Sequence, residues 1–256
     1  MKLRPVIKLA TNYQIDALRQ RVINVIEDCW PRPFEEWIRF NTEISVLRKV
    51  RLSSDDALVG GKAFVDHVPE PASAIRLARD FDIPSILPFA YYTLAGFHSG
   101  LPWYQSNQDN QWNFLRARVL RAARWQLLDA NDLLLLIRDR EELIASMKSI
   151  AQLWGGGCRA DLVLFAAVER CRESRPQSTC REKKELVREK WKEAISSYIQ
   201  NVRNPDPLGM LEKMYDSHLS WCLCQHCAER IMKHIRREQR GIWNQLDRIF
   251  KLPVVL

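Results

Sequence analysis

The segment LLDANDLLLLIRDREELIASMKSIAQLW, residues 127–154, is the strongest helical pattern in the chain. Its apolar and charged residues recur with the period of an amphipathic α-helix. Asp129 stands where its carboxylate can cap the first turn, and consecutive glycines at 155–157 end the pattern. A helix of this length needs other elements to bury its apolar stripe, so the rest of the chain decides the fold class.

Those other elements are also predicted to be helical. Only 9 glycines occur in 256 residues, hydrophobic residues make up 46% and charged residues 27% of the chain. Apolar and charged residues are paired at helical spacing over long stretches, which is typical of a folded helical protein. No run of alternating apolar and polar residues predicts a sheet. We therefore predict an all-α fold, an irregular multi-helix array of packed helical hairpins, to which a zinc clip would be an addition.

A pattern near the N-terminus recurs 68 residues later. IKLATNYQIDALRQRV, residues 7–22, aligns with IRLARDFDIPSILPFA, residues 75–90. In each copy a short helix ends at an aromatic residue, a tight turn follows, and an isoleucine opens the next helix. The pattern predicts two helix–turn–helix packing units. Two copies are too few for a solenoid, which usually needs at least ~3 repeats.

Three further segments have predicted bounds. CWPRP, residues 29–33, ends the second helix because proline cannot continue the hydrogen-bond ladder. Residues 34–40 predict one or two amphipathic helical turns, and residues 41–68, with SSDD and GG, predict a loop. The last helix is predicted to run from Cys224 or Gln225 to Phe250.

The sequence also indicates a compartment. No apolar run approaches the ~20 residues of a membrane span, and the N-terminus lacks the apolar stretch of a secretory signal. We therefore expect an intracellular protein, in the cytoplasm or the nucleus, with no membrane partner. Seven cysteines are an odd number, and without a secretory signal a disulfide framework is not expected.

The sharpest local motif is WCLCQHC, residues 221–227. Cys224-x-x-Cys227 has the spacing of a zinc knuckle, which places two thiolates on one side of a turn for a tetrahedral ion. A second pair is required, and Cys158, Cys171 and Cys180 are its candidates. The predicted ligand set is Cys224, Cys227, Cys222 and Cys158, holding one structural zinc. The alternative is no cofactor, with the cysteines serving as small buried hydrophobic residues.

The predicted last helix is basic, in a chain of net charge +8 and pI about 9.2. Its cations could contact nucleic-acid phosphates. They are Arg230, Lys233, Arg236, Arg237 and Arg240. The interpretation that we favour is a solvated helix face, because acidic residues are interleaved with these cations.

Tryptophan offers a second kind of candidate site. Trp30, Trp37, Trp103 and Trp112 lie near breaks in the helical pattern, where they could be exposed. Aromatic residues that cluster on a surface favour protein partners. We therefore predict a partner-binding role for Trp37, Trp103 and Trp112.

The segment VIKLATNYQIDALRQRVINVIE, residues 6–27, resembles the helical end of a BTB/POZ domain, where L-x-L-A-x-x-Y-x-I/V-x-x-L recurs. Four later stretches resemble the helical region that follows the BTB fold in a large fungal family. They are AIRLARDFDIPSILPFAYYTLA, LLDANDLLLLIRDREEL, WCLCQHC and IRREQRGIWNQLDRIFKLP. The β-sheet portion of a BTB domain has no counterpart in this sequence.

The resemblance implies four segments. They are a helical end of a BTB-like domain at 1–40, a linker at 41–70, a post-BTB helical region at 71–154, and a C-terminal helical region with the cysteine cluster at 155–256. It also implies a non-enzymatic adaptor that binds other proteins, for example in a ubiquitin-ligase or transcriptional complex.

Two other functions are left open, and an enzyme is not expected. The chain has no glycine-rich phosphate loop, no G-x-S-x-G and no H-E-x-x-H. One alternative is a zinc-stabilised nucleic-acid-binding protein that uses the cysteines and the basic last helix. The other is a truncated product without independent function.

Overall fold

The computed structural model describes residues 3–53, 58–59, 62–63, 69–97, 123–154, 162–164, 166, 171, 180–199, 205–217 and 223–250. In the N-terminal part, the α-helices are α1 (Leu3–Asn12), α2 (Asp16–Glu27), α3 (Phe34–Ser53), α4 (Pro71–Phe81) and α5 (Leu87–Ala95). A small antiparallel hairpin joins β1 (Leu58–Val59) to β2 (Lys62–Ala63), with Leu58 opposite Ala63. Short 3-10 turns lie at Pro84–Ile86 and Trp125–Leu127.

The C-terminal part continues with α6 (Ala130–Trp154), α7 (Lys184–Ile199), α8 (Pro207–Asp216), α9 (Gln225–Trp243) and α10 (Leu246–Ile249). The described residues are therefore almost wholly helical, and the prediction of an all-α fold is confirmed. None of the described helices is both long enough and apolar enough to span a membrane.

The chain divides into two compact units. The first comprises Met1–Leu136 with Phe250–Leu256, and the second comprises Ile137–Ile249. The boundary between them falls within α6. The four-segment division implied by the resemblance stays a prediction.

In the first unit, both copies of the repeated pattern form the predicted helix–turn–helix. The turn residues Gln14 and Asp82 each have a φ of 54°. The residue that follows closes the turn, since Ile15 N–H donates to Ala10 O at 2.8 Å and Ile83 N–H donates to Ala78 O at 2.9 Å. This six-to-one hydrogen bond around a left-handed residue is the Schellman helix ending. The repeat in the sequence is thus a repeated way of ending one helix and starting the next.

The two copies contact each other inside the first unit. Arg4 on α1 pairs with Asp80 near the end of α4, at 2.6 Å. Arg19 on α2 donates through Nη2 to the carbonyl of Phe81 at 2.8 Å. That carbonyl is one of those left without a partner at a helix end, so the arginine satisfies an acceptor that the Schellman turn does not use.

Helix α3 corrects the predicted loop. We predicted helix only over 34–40 and a loop over 41–68, whereas α3 continues to Ser53 and the β1–β2 hairpin follows it. Ile44 is buried between Phe40 and Leu47, so the apolar residues keep the helical spacing of four and three positions. The prediction of a loop at 41–53 is therefore wrong, because polar residues around this stripe obscured its period.

The last helix is also shorter than predicted. Helix α9 ends at Trp243, and residues 244–245 form a turn before α10. The hydrogen bonds tighten there, since Asn244 N–H donates to Arg240 O whereas Gln245 N–H donates to Ile242 O, one residue nearer. The single helix predicted to reach Phe250 is thus two helices.

The core of the second unit is formed by α7, α8, α9 and the C-terminal part of α6. Trp154 of α6 and Trp191 of α7 are almost fully buried and meet edge to face, with ring centroids 5.0 Å apart. On α9 the buried positions are Cys227, Ile231, Ile235 and Gln239. Their regular spacing of four residues places them on one face of the helix, which continues from the core to the cysteine cluster.

Candidate metal centre

Four cysteines converge in the second unit. They are Cys171, Cys180, Cys224 and Cys227, and their sulfurs all lie within 4.8 Å of one another. Cys180 and Cys171 precede Cys224 by 44 and 53 positions, respectively. Only the tertiary fold can bring these side chains together.

The start of α9 positions two of the four. Cys224 is the N-cap residue, with an extended backbone at φ −65° and ψ 156°. Its Sγ accepts a hydrogen bond from the backbone N–H of Cys227 at 3.5 Å. A cap residue accepts from the residue three positions later, so the C-x-x-C spacing turns both sulfurs to the same side of the helix start.

The other two sulfurs are held by contacts with Cys224. Cys180 lies in the turn before α7, and its Sγ accepts a hydrogen bond from the backbone N–H of Cys224 at 3.2 Å. The Sγ of Cys171 lies 3.6 Å from the Sγ of Cys224. Cys224 therefore contacts each of the other three cysteines of the cluster.

The distances fit a single ion better than covalent pairing. The sulfurs of a disulfide lie about 2.05 Å apart. A tetrahedral ion with metal–sulfur bonds of about 2.3 Å places its four sulfurs about 3.8 Å from one another. The 3.6 Å contact and the 4.8 Å limit bracket that value. A cluster of two or four irons would spread its thiolates over several metal atoms, so this compact arrangement suits one central ion.

Two cysteines of the cluster are buried, and the other two are partly buried. Cys227 is fully buried and Cys180 is 7% exposed, while Cys171 and Cys224 are partly buried. All four belong to or pack against the core of the second unit. Four protein ligands fill a tetrahedral coordination shell, which is the arrangement of structural metal sites.

Burial also sets the protonation of these thiols. It raises the pKa of Cys227 above its ordinary value, and hydrogen bonds with Cys224 and Cys171 raise it further. Burial likewise raises the pKa of Cys224, although the hydrogen bond from the Cys227 backbone N–H acts in the opposite direction. A cation that binds here must therefore displace protons from the cluster. The positive end of α9 lies where it can offset part of the negative charge of the resulting thiolates.

The structure thus brings together the two predicted ligands of the C-x-x-C motif. Their partners are Cys171 and Cys180, two of the three candidates for the second pair. The predicted ligands Cys158 and Cys222 lie outside the described residues. No spacing rule selects Cys171 and Cys180 over Cys158, because all three precede α7 in a part of the sequence with no second C-x-x-C.

The predicted aromatic partner site is not formed by the tryptophans that the structure describes. Trp30 is 1% exposed and Trp37 is 4% exposed, so the prediction that they lie on the surface is wrong. Trp37 stacks on Phe34 with centroids 5.5 Å apart, and Trp30 meets Phe89 edge to face. The prolines near these tryptophans end a helix but do not expose the tryptophan side chains, because the chain turns back onto the core. Trp103 and Trp112 lie outside the described residues.

One of the five predicted nucleic-acid contacts, Arg236, is paired with another side chain of the second unit. The guanidinium of Arg236 makes two hydrogen bonds to Glu212 and lies 3.7 Å from the centre of the Tyr215 ring. Arg236 also donates to Gln239 at 2.8 Å. Lys233, Arg237 and Arg240 are exposed on the outer face of α9, and Arg230 is half-buried. Most of the basic stripe is therefore a solvated face, while Arg236 joins α9 to α8.

An apolar surface formed by α1 and the first residue after it was missed. Val6 is 39% exposed, Leu9 50% and Tyr13 73%, and their spacing puts them on one face. The equivalent residues of the second copy, Ala74 and Leu77, are buried. Apolar periodicity alone predicts that both copies are buried. Only the tertiary structure distinguishes the covered face from the exposed one.

A buried polar network in the first unit was also missed. Asp132, near the start of α6, is 2% exposed and accepts a hydrogen bond from the hydroxyl of Tyr91. Arg79 lies 3.5 Å from the Asp132 carboxylate and donates to the Tyr91 oxygen at 3.4 Å. An aspartate in a first helical turn usually interacts with the helix dipole in solvent, whereas this one is paired in the core.

No protein-family model, no curated protein and no solved structure matches this chain. The resemblance to fungal BTB/POZ proteins therefore stays a prediction. The cysteine geometry stands apart from it, since it depends only on the positions of the four sulfurs.

Proposed function

We propose that the protein is a non-enzymatic protein–protein interaction module whose second unit is held together by one structural zinc ion. The observation that carries the proposal is the convergence of the four cysteine sulfurs within 4.8 Å. Four ligands from the protein leave a tetrahedral ion no open position for a substrate or a reactive water. The site is therefore suited to fastening the fold rather than to catalysis.

Zinc is the ion that best fits this donor set. Thiolates are soft ligands, and a tetrahedral site of four sulfurs selects zinc or iron among common metals. Bound there, the ion would join the segment at Cys171, the turn before α7 and the start of α9. Because these segments are far apart in sequence, the ion would close long loops and add its binding free energy to folding.

The apolar face of α1 supports the interaction role. In the second copy of the repeat, the positions equivalent to Val6 and Leu9 are buried on α4, which contacts α1, α5 and the turn at Trp125–Leu127. By analogy between the copies, the α1 face fits the apolar surface of a partner helix. The resemblance to BTB/POZ proteins adds the expectation of an adaptor, with a ubiquitin-ligase or transcriptional complex as its setting.

Metal content tests the zinc part of the proposal. The full chain is purified without added metal, and zinc and iron are counted per chain by mass spectrometry. About one zinc per chain is expected, with loss on Cys227→Ser and retention on Cys29→Ser, since Cys29 is an exposed thiol of the first unit. Protein that holds neither metal, and that gains none on incubation with zinc, contradicts the proposal.

A matched pair of variants tests the interaction part. Leu9→Glu with Tyr13→Glu places charge on the exposed α1 face, and Val46→Glu places it on α3, at a residue 55% exposed. Capture experiments quantify the proteins that each of the three forms retains. We expect a protein that binds the wild type and Val46→Glu but does not bind the α1 variant. Equal binding to all three forms, with each shown to fold, would rule out α1 as the partner surface.

A second candidate function is nucleic-acid binding. Lys233 and Arg237 are exposed on the outer face of α9, which starts at the cysteine cluster. Duplex DNA and RNA are the probes, and affinity is measured against salt because phosphate contacts release counterions. The variant Lys233→Gln with Arg237→Gln should make the plot of log affinity against log salt concentration less steep. The expected change is that of about two lost phosphate contacts. The control, Lys8→Gln with Arg21→Gln, removes two exposed charges from the first unit. Equal slopes for both variants exclude a specific role for α9.

A further inference from the structure

The four cysteines of the cluster differ in exposure. Cys180 and Cys227 are buried in the core of the second unit, while Cys171 and Cys224 are only partly buried. The cluster therefore has an inner pair that is protected from solvent and an outer pair that a small molecule can reach. Oxidants react with thiols according to thiolate character and exposure, and ligation by zinc would make all four thiolates.

The two sulfurs of the outer pair are also in direct contact. The Sγ atoms of Cys171 and Cys224 lie 3.6 Å apart, and a disulfide requires about 2.05 Å. Cys224 is a cap residue with an extended backbone, and its carbonyl accepts the first backbone hydrogen bond of α9, from Ala228 N–H at 3.0 Å. A rotation of the Cys224 side chain leaves that bond in place. Its sulfur can approach Cys171 without breaking a turn of that helix.

Resting on the proposed zinc site, we propose that Cys171 and Cys224 form a reversible oxidation site that controls retention of the ion. A peroxide converts the outer pair to a disulfide, and the zinc leaves. Cys180 and Cys227 stay unoxidised because they are buried. A small oxidant can thus release the ion that joins these segments of the second unit.

The chemistry balances in two steps. One outer thiolate attacks the peroxide, an S–O bond forms, the O–O bond breaks, and hydroxide leaves to become water. The second outer thiolate attacks the sulfenic sulfur, an S–S bond forms, the S–O bond breaks, and a second hydroxide leaves. The two sulfurs lose two electrons in total, the peroxide gains two, and two protons complete two waters. Zinc stays divalent throughout.

Release of the ion follows from the loss of two ligands. A disulfide sulfur is a poor ligand, so only Cys180 and Cys227 would hold the metal. The Cys227 backbone N–H would also lose its thiolate acceptor at Cys224, which weakens the start of α9. A dithiol reductant regenerates both thiolates and restores the site when zinc is present.

The experiment uses the full zinc-loaded chain and hydrogen peroxide. Zinc release is followed with a chromogenic indicator, and the new disulfide is located by tandem mass spectrometry. Trypsin separates Cys171 from Cys180 at Arg172, and fragmentation distinguishes Cys222, Cys224 and Cys227, which share the tryptic peptide of residues 214–230. A second form carries Cys29→Ser, Cys158→Ser and Cys222→Ser, so that only the four clustered cysteines remain.

The expected result in both forms is one zinc released per peroxide consumed, with a Cys171–Cys224 disulfide and recovery on adding dithiothreitol and zinc. A disulfide joining another pair, zinc retained after the peroxide is consumed, or release with irreversible sulfinic acid alone overturns the inference. Loss of zinc from the triple variant before any oxidant is added also overturns it, because the ligand set would then differ. Absence of zinc from the untreated wild type instead overturns the proposed zinc site itself.

Discussion

The backbone N–H of Cys224 donates a hydrogen bond to the Sγ of Cys180 at 3.2 Å, joining the N-cap of α9 to the turn before α7. The two residues are 44 positions apart, so this is a tertiary contact. Hydrogen bonds to the ligating side chains of a metal site hold them in orientation. The main chain at the start of α9 therefore already positions one of the four sulfurs.

We expect zinc to stabilise the second unit by an amount that grows with the logarithm of the free zinc concentration. Free zinc at about a thousand times its Kd should raise the free energy of unfolding by about 4 kcal/mol, since it binds only the folded site. Thermal melts of the full chain with and without a chelator measure this effect. Cys180→Ser should abolish the response, and Cys29→Ser should preserve it. A melting temperature that is independent of zinc would contradict the prediction.

Replacement of Arg236 by lysine should destabilise the second unit although the charge is conserved. Lysine cannot make the two hydrogen bonds to Glu212 or lie flat over the Tyr215 ring. The buried amide of Gln239, which contacts both Arg236 and Glu212, would lose one partner. We expect a loss of about 1–3 kcal/mol in denaturant unfolding. Arg237→Lys, on the exposed face of the same helix, is the control and should change stability by less than about 0.5 kcal/mol.

Removal of the Tyr91 hydroxyl should destabilise the first unit. In Tyr91→Phe the buried carboxylate of Asp132 loses its hydroxyl donor, and a hydrogen bond to a charged group contributes about 1.5–3 kcal/mol. Tyr13→Phe is the matched control, because Tyr13 is 73% exposed. Equal stability of the two variants in urea unfolding would show that the Tyr91–Asp132 contact contributes nothing.

The same tyrosine predicts a dependence on alkaline pH. Burial, followed by the hydrogen bond with Asp132, raises the pKa of Tyr91 above its ordinary value of 10.0. Above pH 10 the unfolded chain loses a proton that the folded chain keeps, so stability falls as pH rises. Below that pH the contribution is fully present. Unfolding free energies measured from pH 8 to 11 should fall less steeply in Tyr91→Phe than in Tyr13→Phe, and parallel curves would refute the assignment.

Glycine at the repeated turn should stabilise the first unit. Asp82 has a φ of 54°, a left-handed conformation that strains most side chains and that glycine adopts freely. Asp82→Gly should therefore raise the free energy of unfolding by about 0.5–1 kcal/mol. Asp28→Gly is the control, because Asp28 ends α2 with an ordinary φ of −63°. Glycine there gains nothing and adds entropy to the unfolded chain, so a stabilised Asp28→Gly would count against this reasoning.

Local pattern predicted much of the architecture. The α6 helix and both helix–turn–helix copies formed where apolar periodicity, caps and turn residues agreed, because these signals act over a few residues. The same local signals failed at residues 41–53 and at Trp37. At 41–53 the polar neighbours obscured an apolar stripe formed by Phe40, Ile44 and Leu47. At Trp37 the nearby proline suggested exposure, although the ring is buried and stacks on Phe34.

The sequence by itself determined the helical class, the repeated turn and the C-x-x-C pair, since each depends on residues within one or two turns of one another. Only the tertiary structure decided that Cys171 and Cys180 complete the cluster, that Arg236 is paired with Glu212, and that Leu9 is exposed while its counterpart Leu77 is buried. Spacing along a helix specifies which side chains share a face. Which faces meet depends on packing between segments that are distant in sequence.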